Sequence, residues 1–242
     1  MSRIFPLFFA PFQFAGVRGL VLCAAALGAP LAAASSEFVH SKISAPTLLA
    51  QAPGLVLSPE EVVRGVTQDV INLFKSDRSL TERPDPERVL AIVNERVMPV
   101  VNFSRMTALS VGRYWNQASA EQKQQLMNAF RELLVLTYSE AVTYAPEATI
   151  QVRPGRYLAT DDDVVVRTFL QRPGKEPIPI DYRMQKTASG WKVYDFNVLG
   201  LWMVEHYRAQ FAQIISARGI DGLIAVLNEK NASLRHARSA KP

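Results

Sequence analysis

The chain has 242 residues, 48% of them hydrophobic and 20% charged, with 15 Pro and 12 Gly. That is ordinary globular composition, enough for one domain or two with a sizeable core. Setting Arg3 and Arg18 aside leaves 25 basic against 22 acidic residues; with no run of Lys and Arg among aromatics, the composition gives no support to a nucleic-acid-binding protein.

Residues 1–34 read as a cleaved signal peptide. Arg3 and Arg18 supply positive charge, and Gly19–Ala34 is an apolar run ending in Ala32-Ala33-Ala34, a small-residue cleavage pattern. The run is short for a spanning helix and Pro30 interrupts it, so export with cleavage is favoured over a membrane anchor. The single cysteine, Cys23, lies inside this run. A lipid-modified cysteine ranks below cleavage, because Leu22 stands where a small residue belongs. The mature chain then has no disulfide and depends on its core. Residues 35–57, with Pro46 and Pro53, show no sustained period and read as a flexible mature N-terminus.

A helix opens sharply at Ser58, with Pro59 in the first position and Glu61 closing a capping box. Val62, Val63, Val66, Val70, Leu73 and Phe74 give it one apolar face. Asp85-Pro86 starts a second helix carrying Val89, Ile92, Val93 and Val97, broken at Pro99. A short third begins at Asn102, carries Phe103, Met106 and Leu109, and ends at Gly112. Ser119 and Gln122 then cap a long helix with Leu126, Met127, Phe130, Leu133, Leu134 and Thr137 on one stripe, stopped by Pro146. Arg113, Tyr114 and Trp115 form an aromatic joint between the last two.

After Pro146 the period changes from 3.6 to 2. Thr149–Arg153, Asp162–Arg172, Ile178–Lys186 and Trp191–Val198 read as strands joined by short turns, an antiparallel meander. Helix returns after Gly200 with Leu201, Val204, Tyr207 and Phe211, stops at Gly219, and resumes with Asp221 as a cap and Leu223, Ile224 and Leu227. The expectation is an α+β domain over 58–228, a sheet of about four antiparallel strands wrapped by helices on both sides in sequence, and a polar C-terminal tail over 229–242.

The search for chemistry returns little. His206 is the one histidine inside a predicted element, with no carboxylate or nucleophile paired to it, and reads as an ordinary helix histidine. Asp161-Asp162-Asp163 lacks the spaced ligands of a calcium loop, and Asp195 is either a buried base or a strand-end residue. No zinc, nucleotide-binding or nucleophile-elbow pattern occurs. No catalytic residue, metal site or cofactor is expected. Apolar and aromatic surface is what the chain has in quantity, and it closes into a solid core or lines a cavity; composition leaves both open.

The segments PVVNFSRMTALSVGRYWNQASAEQKQQLMNAFRELLVLTY (99–138), GWKVYDFNVLG (190–200), YRAQF (207–211) and GIDGLIAVL (219–227) resemble the MlaC-like, toluene-tolerance family. These are periplasmic phospholipid-binding proteins of Gram-negative bacteria. Asn102 stands where that family commonly has Asp, which puts any charged role there in doubt but keeps the cap. The resemblance implies a cystatin- or NTF2-like sheet enclosing an apolar pocket and a monomeric periplasmic carrier with phospholipid as cargo. It also implies two partners, an inner-membrane ABC transporter with an MCE-domain ring and an outer-membrane lipoprotein–porin complex. Such a pocket is expected to be lined by Val152, Val164, Val166, Ile178, Ile180, Tyr182 and Met184 from the strands. Phe103, Met106, Leu109, Phe130, Leu134 and Tyr138 are the helical candidates. The competing readings are an NTF2-like small-molecule enzyme using Asp195 or His206, and an interaction module with a filled core.

Overall fold

The helix starts follow local hydrogen-bonding chemistry. Helix α1 (Pro59–Ser76) opens on Ser58, whose Oγ accepts the Glu61 N–H at 3.3 Å while the Glu61 carboxylate takes the Ser58 N–H at 2.7 Å. It buries Val63, Ile71 and Phe74. The turn α2 (Ser79–Glu82) leads to α3 (Pro86–Ile92), where Asp85 accepts from the Glu87 N–H at 3.0 Å. The winding then widens to a π-turn over Val93–Val97 and tightens to 3-10 over Met98–Val100, where Pro99 has no amide to donate. Helix α4 (Phe103–Val111) is capped by Asn102, whose Oδ1 accepts from the Arg105 N–H at 3.0 Å. Gly112, at φ 65°, turns the chain into a 3-10 segment, Gly112–Gln117, that carries Arg113, Tyr114 and Trp115. Ser119 and Gln122 form the second reciprocal box, at 3.1 and 3.0 Å, and launch α5 (Ala120–Tyr138).

This computed structural model describes residues 57–77, 79–82, 85–138 and 145–239, all within one compact unit beginning at Val56. Residues 1–34, expected from the sequence to be a signal peptide, and residues 35–56 lie outside the described residues, as does the chain between Tyr138 and Ala145.

The meander is present and has five strands rather than four. β1 (Thr149–Val152), β2 (Asp163–Gln171), β3 (Ile178–Thr187), β4 (Gly190–Val198) and β5 (Leu201–Trp202) form one sheet in the order β1-β2-β3-β4-β5, each pair antiparallel. The extra strand arises because Leu199 and Gly200 both take positive φ, 54° and 90°, and fold the chain back on β4. That turn moves the helix start expected at Gly200 to Met203.

Helix α6 (Met203–Ser239) breaks at Gly219, at φ 70° and ψ −176°, as the sequence indicated. It then continues past Asn228 to Ser239, so the described part of the tail expected from 229 is helical. The anchor is Asn231, buried, whose Nδ2 donates to Ala129 O at 2.9 Å. Arg235 adds an ion pair to Glu132 at 2.6 Å. Asp221, read as a cap, accepts from Gln122 Nε2 at 2.7 Å and so ties α6 to the start of α5.

Helix α1 packs on β1 and β2, α4 and α6 meet the sheet at β4, and α5 packs chiefly on α6 and α4. Val101 forms a parallel bridge with Val193, and the Asn102 N–H donates to Val193 O at 2.8 Å, fixing α4 to that edge of the sheet. Two apolar centres result. Val63 closes over Val164, Val166, Met184, Trp191 and Val193. Phe130 gathers Phe103, Tyr207 and Phe211 at ring-centroid distances of 5.7, 4.9 and 5.2 Å.

Candidate functional site

Paired residues in an antiparallel sheet project to the same side. The register therefore collects one continuous apolar face. Val164 stands opposite Met184, Val166 opposite Tyr182, Thr168 opposite Ile180 and Leu170 opposite Ile178. Ile150 and Val152 extend the face on β1, opposite Leu170 and Thr168. On β4 the members are Val193, beside Met184, then Phe196 beside Tyr182 and Val198 beside Ile180. A bulge between Arg183 and Met184 puts two residues of β4, Tyr194 and Asp195, against one of β3. It explains why the face runs through odd numbers before it and even numbers after it.

On β3 from Met184 to Ile178, and on β4 from Val193 to Val198, burial falls along this face, while Thr168 on β2 stays 1% exposed. Val164, Val166 and Met184 are 5%, 0% and 0% exposed under α1. Ile178, Ile180, Tyr182, Phe196 and Val198 are partly buried, and Leu199 in the following turn reaches 43% exposure. Across from the open end, Tyr138 meets Phe196 edge to face at 6.4 Å, and its hydroxyl lies 3.2 Å from Met203 Sδ.

The thirteen residues singled out in the sequence fall into three groups. Val164, Val166 and Met184 belong to the close-packed cluster under Val63. Phe103, Met106, Phe130 and Leu134 are buried in the helical layer, Phe130 at the centre of its aromatic group. Val152, Ile178, Ile180 and Tyr182 on the sheet, with Leu109 and Tyr138 on the helices, keep partial exposure.

Titratable groups are arranged as structure rather than as a reacting set. Asp195 is fully buried, and its carboxylate accepts from the Phe196 N–H at 2.8 Å, the Val204 N–H at 3.0 Å and Arg183 Nη1 at 3.0 Å. Burial pushes its pKa up, opposed by the Val204 amide, Arg183 and the Phe196 amide. It thus fastens β4 to the first turn of α6, where Glu205 also takes Arg183 at 3.2 Å. On the same side of the sheet, Arg105 lies 3.8 Å over the Tyr194 ring and bonds Asp163 at 3.0 Å, which accepts the Tyr194 hydroxyl at 2.7 Å. His206 sits on α6 against Tyr207, and burial lowers its pKa. Among the described residues no three His, Cys, Asp or Glu side chains gather to hold a metal ion. An open polar groove of about 540 Å³ is bounded by Arg156, Tyr157, Asp161 and Arg167, a lining unsuited to an apolar guest.

A model of the MlaC protein family matches residues 64–229. The chain belongs to the MlaC family. Its curated relatives include the intermembrane phospholipid transport system binding protein MlaC of Haemophilus influenzae, 29% identical over 175 residues, 71% of this chain and 81% of that protein. Toluene tolerance protein ttg2D of Pseudomonas putida is 24% identical over 180 residues, 72% of this chain and 82% of that one. Among solved structures, the phospholipid-binding protein from Ralstonia solanacearum, in complex with a phospholipid, is similar with a TM-score of 0.71. It shares 39% identity, over 74% of this chain and 99% of that one.

In this MlaC-family chain, part of the sheet face is legible in the sequence and part is not. Ile150 and Leu170 have the parity of the chosen residues and were legible by that signal. Phe196 and Val198 were not, because strict alternation from Trp191 places them on the opposite side until the bulge is known. Thr67, which approaches the Tyr182 hydroxyl from α1, carries no signal in the sequence at all.

Proposed function

We propose that this protein carries phospholipid, holding acyl chains against the partly buried half of the sheet face without chemical change to the cargo. The observation that carries the reading is the 39% identity to a solved protein in complex with a phospholipid, together with an apolar face whose exposure on β3 and β4 rises towards one end. The lining is drawn from the thirteen residues above, with Tyr138, Val152, Ile178, Ile180 and Tyr182 foremost because they retain exposure.

Burying an acyl chain is worth about 0.8 kcal/mol per methylene, so two long chains favour an apolar site over water by roughly 20 kcal/mol. Against a bilayer the difference is near zero, because the chains leave hydrocarbon for hydrocarbon. Such a site prevents escape into water yet releases cargo on contact with a membrane complex. No cofactor and no covalent step is needed, and Asp195 and His206 have no part in the transfer: the Asp195 carboxylate is already engaged by two amides and Arg183. In this reading the protein is a monomer in the periplasm, moving lipid between an inner-membrane ABC transporter with an MCE-domain ring and an outer-membrane lipoprotein–porin complex. No helix among the described residues is long and apolar enough to cross a membrane, which is compatible with that role.

Organic extraction of the purified protein followed by mass spectrometry tests it. The expected result is stoichiometric phospholipid. Protein that emerges without lipid, and takes none up from detergent micelles, overturns the reading.

A further inference from the structure

On β3 and β4, burial along the apolar face changes at Tyr182, while on the neighbouring strands Thr168 stays buried and Ile150 and Val152 still pack against the Val63 cluster. On one side of it, Val63 of α1 is closed over Val164, Val166 and Met184. On the other, Ile180, Ile178 and Val198 are partly buried. Tyr182 lies on the boundary, beside Val166 on β2 and Phe196 on β4. Its ring packs against the Val63 cluster, and burial raises the phenol pKa to about 12, opposed by the nearby hydroxyls of Thr67 on α1 and Thr168 on β2; Thr168 Oγ1 itself donates to Ile180 O at 2.7 Å. With Val166 and Phe196 on either side and the Val63 cluster packed against it, the ring is held from several sides and resists being pushed aside.

We propose that Tyr182 is the floor of the acyl-chain site, and that its fixed ring sets the longest chain the protein accepts. The proposal rests on the carrier reading above. A chain entering from the Ile178 end meets this ring before it reaches the packed cluster. Methylenes that find no room above it stay unburied, and each one forfeits a factor of about four in affinity.

The test loads the purified full chain from mixed detergent micelles containing equal amounts of dimyristoyl and distearoyl phosphatidylglycerol. Bound lipid is then counted by mass spectrometry. Tyr182→Ala lowers the floor and should raise the ratio of long to short lipid by about fourfold or more over the parent protein. Ile180→Phe builds on top of the floor and should lower that ratio. A folded Tyr182→Ala variant with the parent ratio overturns the proposal. So does an unchanged ratio in Ile180→Phe, which decides the matter alone where the alanine variant fails to fold. If the parent protein takes up neither lipid, it is the carrier reading that falls; if it takes up both and neither variant moves the ratio, only the floor does.

Discussion

Leu199 holds φ at 54°, in the left-handed region where a Cβ crowds the following carbonyl at a cost of about 1–2 kcal/mol. Its side chain recovers little of this, since it is 43% exposed. Its turn is nevertheless fixed: the Gly200 N–H donates to Asn197 Oδ1 at 2.8 Å and the Leu199 N–H to Pro179 O at 3.3 Å. Asparagine tolerates this conformation, so Leu199→Asn should raise stability by about 1 kcal/mol, seen as a higher urea midpoint with unchanged slope. A lower midpoint would show that the leucine makes contacts worth more than its strain. His206 gives a pH-dependent counterpart. Burial lowers its folded pKa below the unfolded value of about 6.5, so the unfolded chain binds the proton more readily than the fold does. Stability is therefore full above pH ~6.5 and declines as pH falls towards the folded pKa. Between pH 7.5 and 5.5 the parent protein should lose more urea resistance than His206→Gln. Equal losses in the two proteins would count against a partly buried histidine held neutral.

At the scale of elements, what was legible in the sequence was what is decided locally. Ser58 with Glu61 and Ser119 with Gln122 close their boxes within four residues, so the starts of α1 and α5 could be read directly. The alternation in β2 and β3 was equally plain. What could not be read depends on partners far along the chain. β5 exists because of a left-handed turn at Leu199-Gly200, and leucine gives no hint of one. The last turns of α6 look polar because their anchor is a side-chain amide: Asn231 reaches Ala129 O on α5, 102 residues away in sequence. Asn231→Ala removes that bond but leaves Ala129 its helical partner, so the loss should be about 1 kcal/mol. It should also appear as faster proteolysis or hydrogen exchange confined to the end of α6. Global destabilisation with no local change would place the anchor elsewhere.

Across the whole molecule, close-packed and partly buried apolar residues share one sheet face, and composition could not say where one gives way to the other. Val166 and Ile180 lie on the same face, one on each side of the Tyr182 boundary. Both were chosen in the sequence by parity alone, and by that signal they are equivalent. The packing separates them. Val166 is wholly buried among Val63, Val164 and Met184, where an indole has no room and overpacking costs about 1–3 kcal/mol. Ile180 is partly exposed, opposite Val198 and outside the cluster that Val63 closes. Val166→Trp should therefore lower the urea midpoint, and any lipid it loses follows from disrupted packing. Ile180→Trp should keep the parent midpoint to within about 0.5 kcal/mol while holding less phospholipid after purification, because the indole occupies space the acyl chains need. The comparison is made on one preparation of each variant, by urea titration and by lipid mass spectrometry together. An Ile180→Trp protein with parental lipid content would move the site off this half of the sheet and towards the helical residues Leu109 and Tyr138.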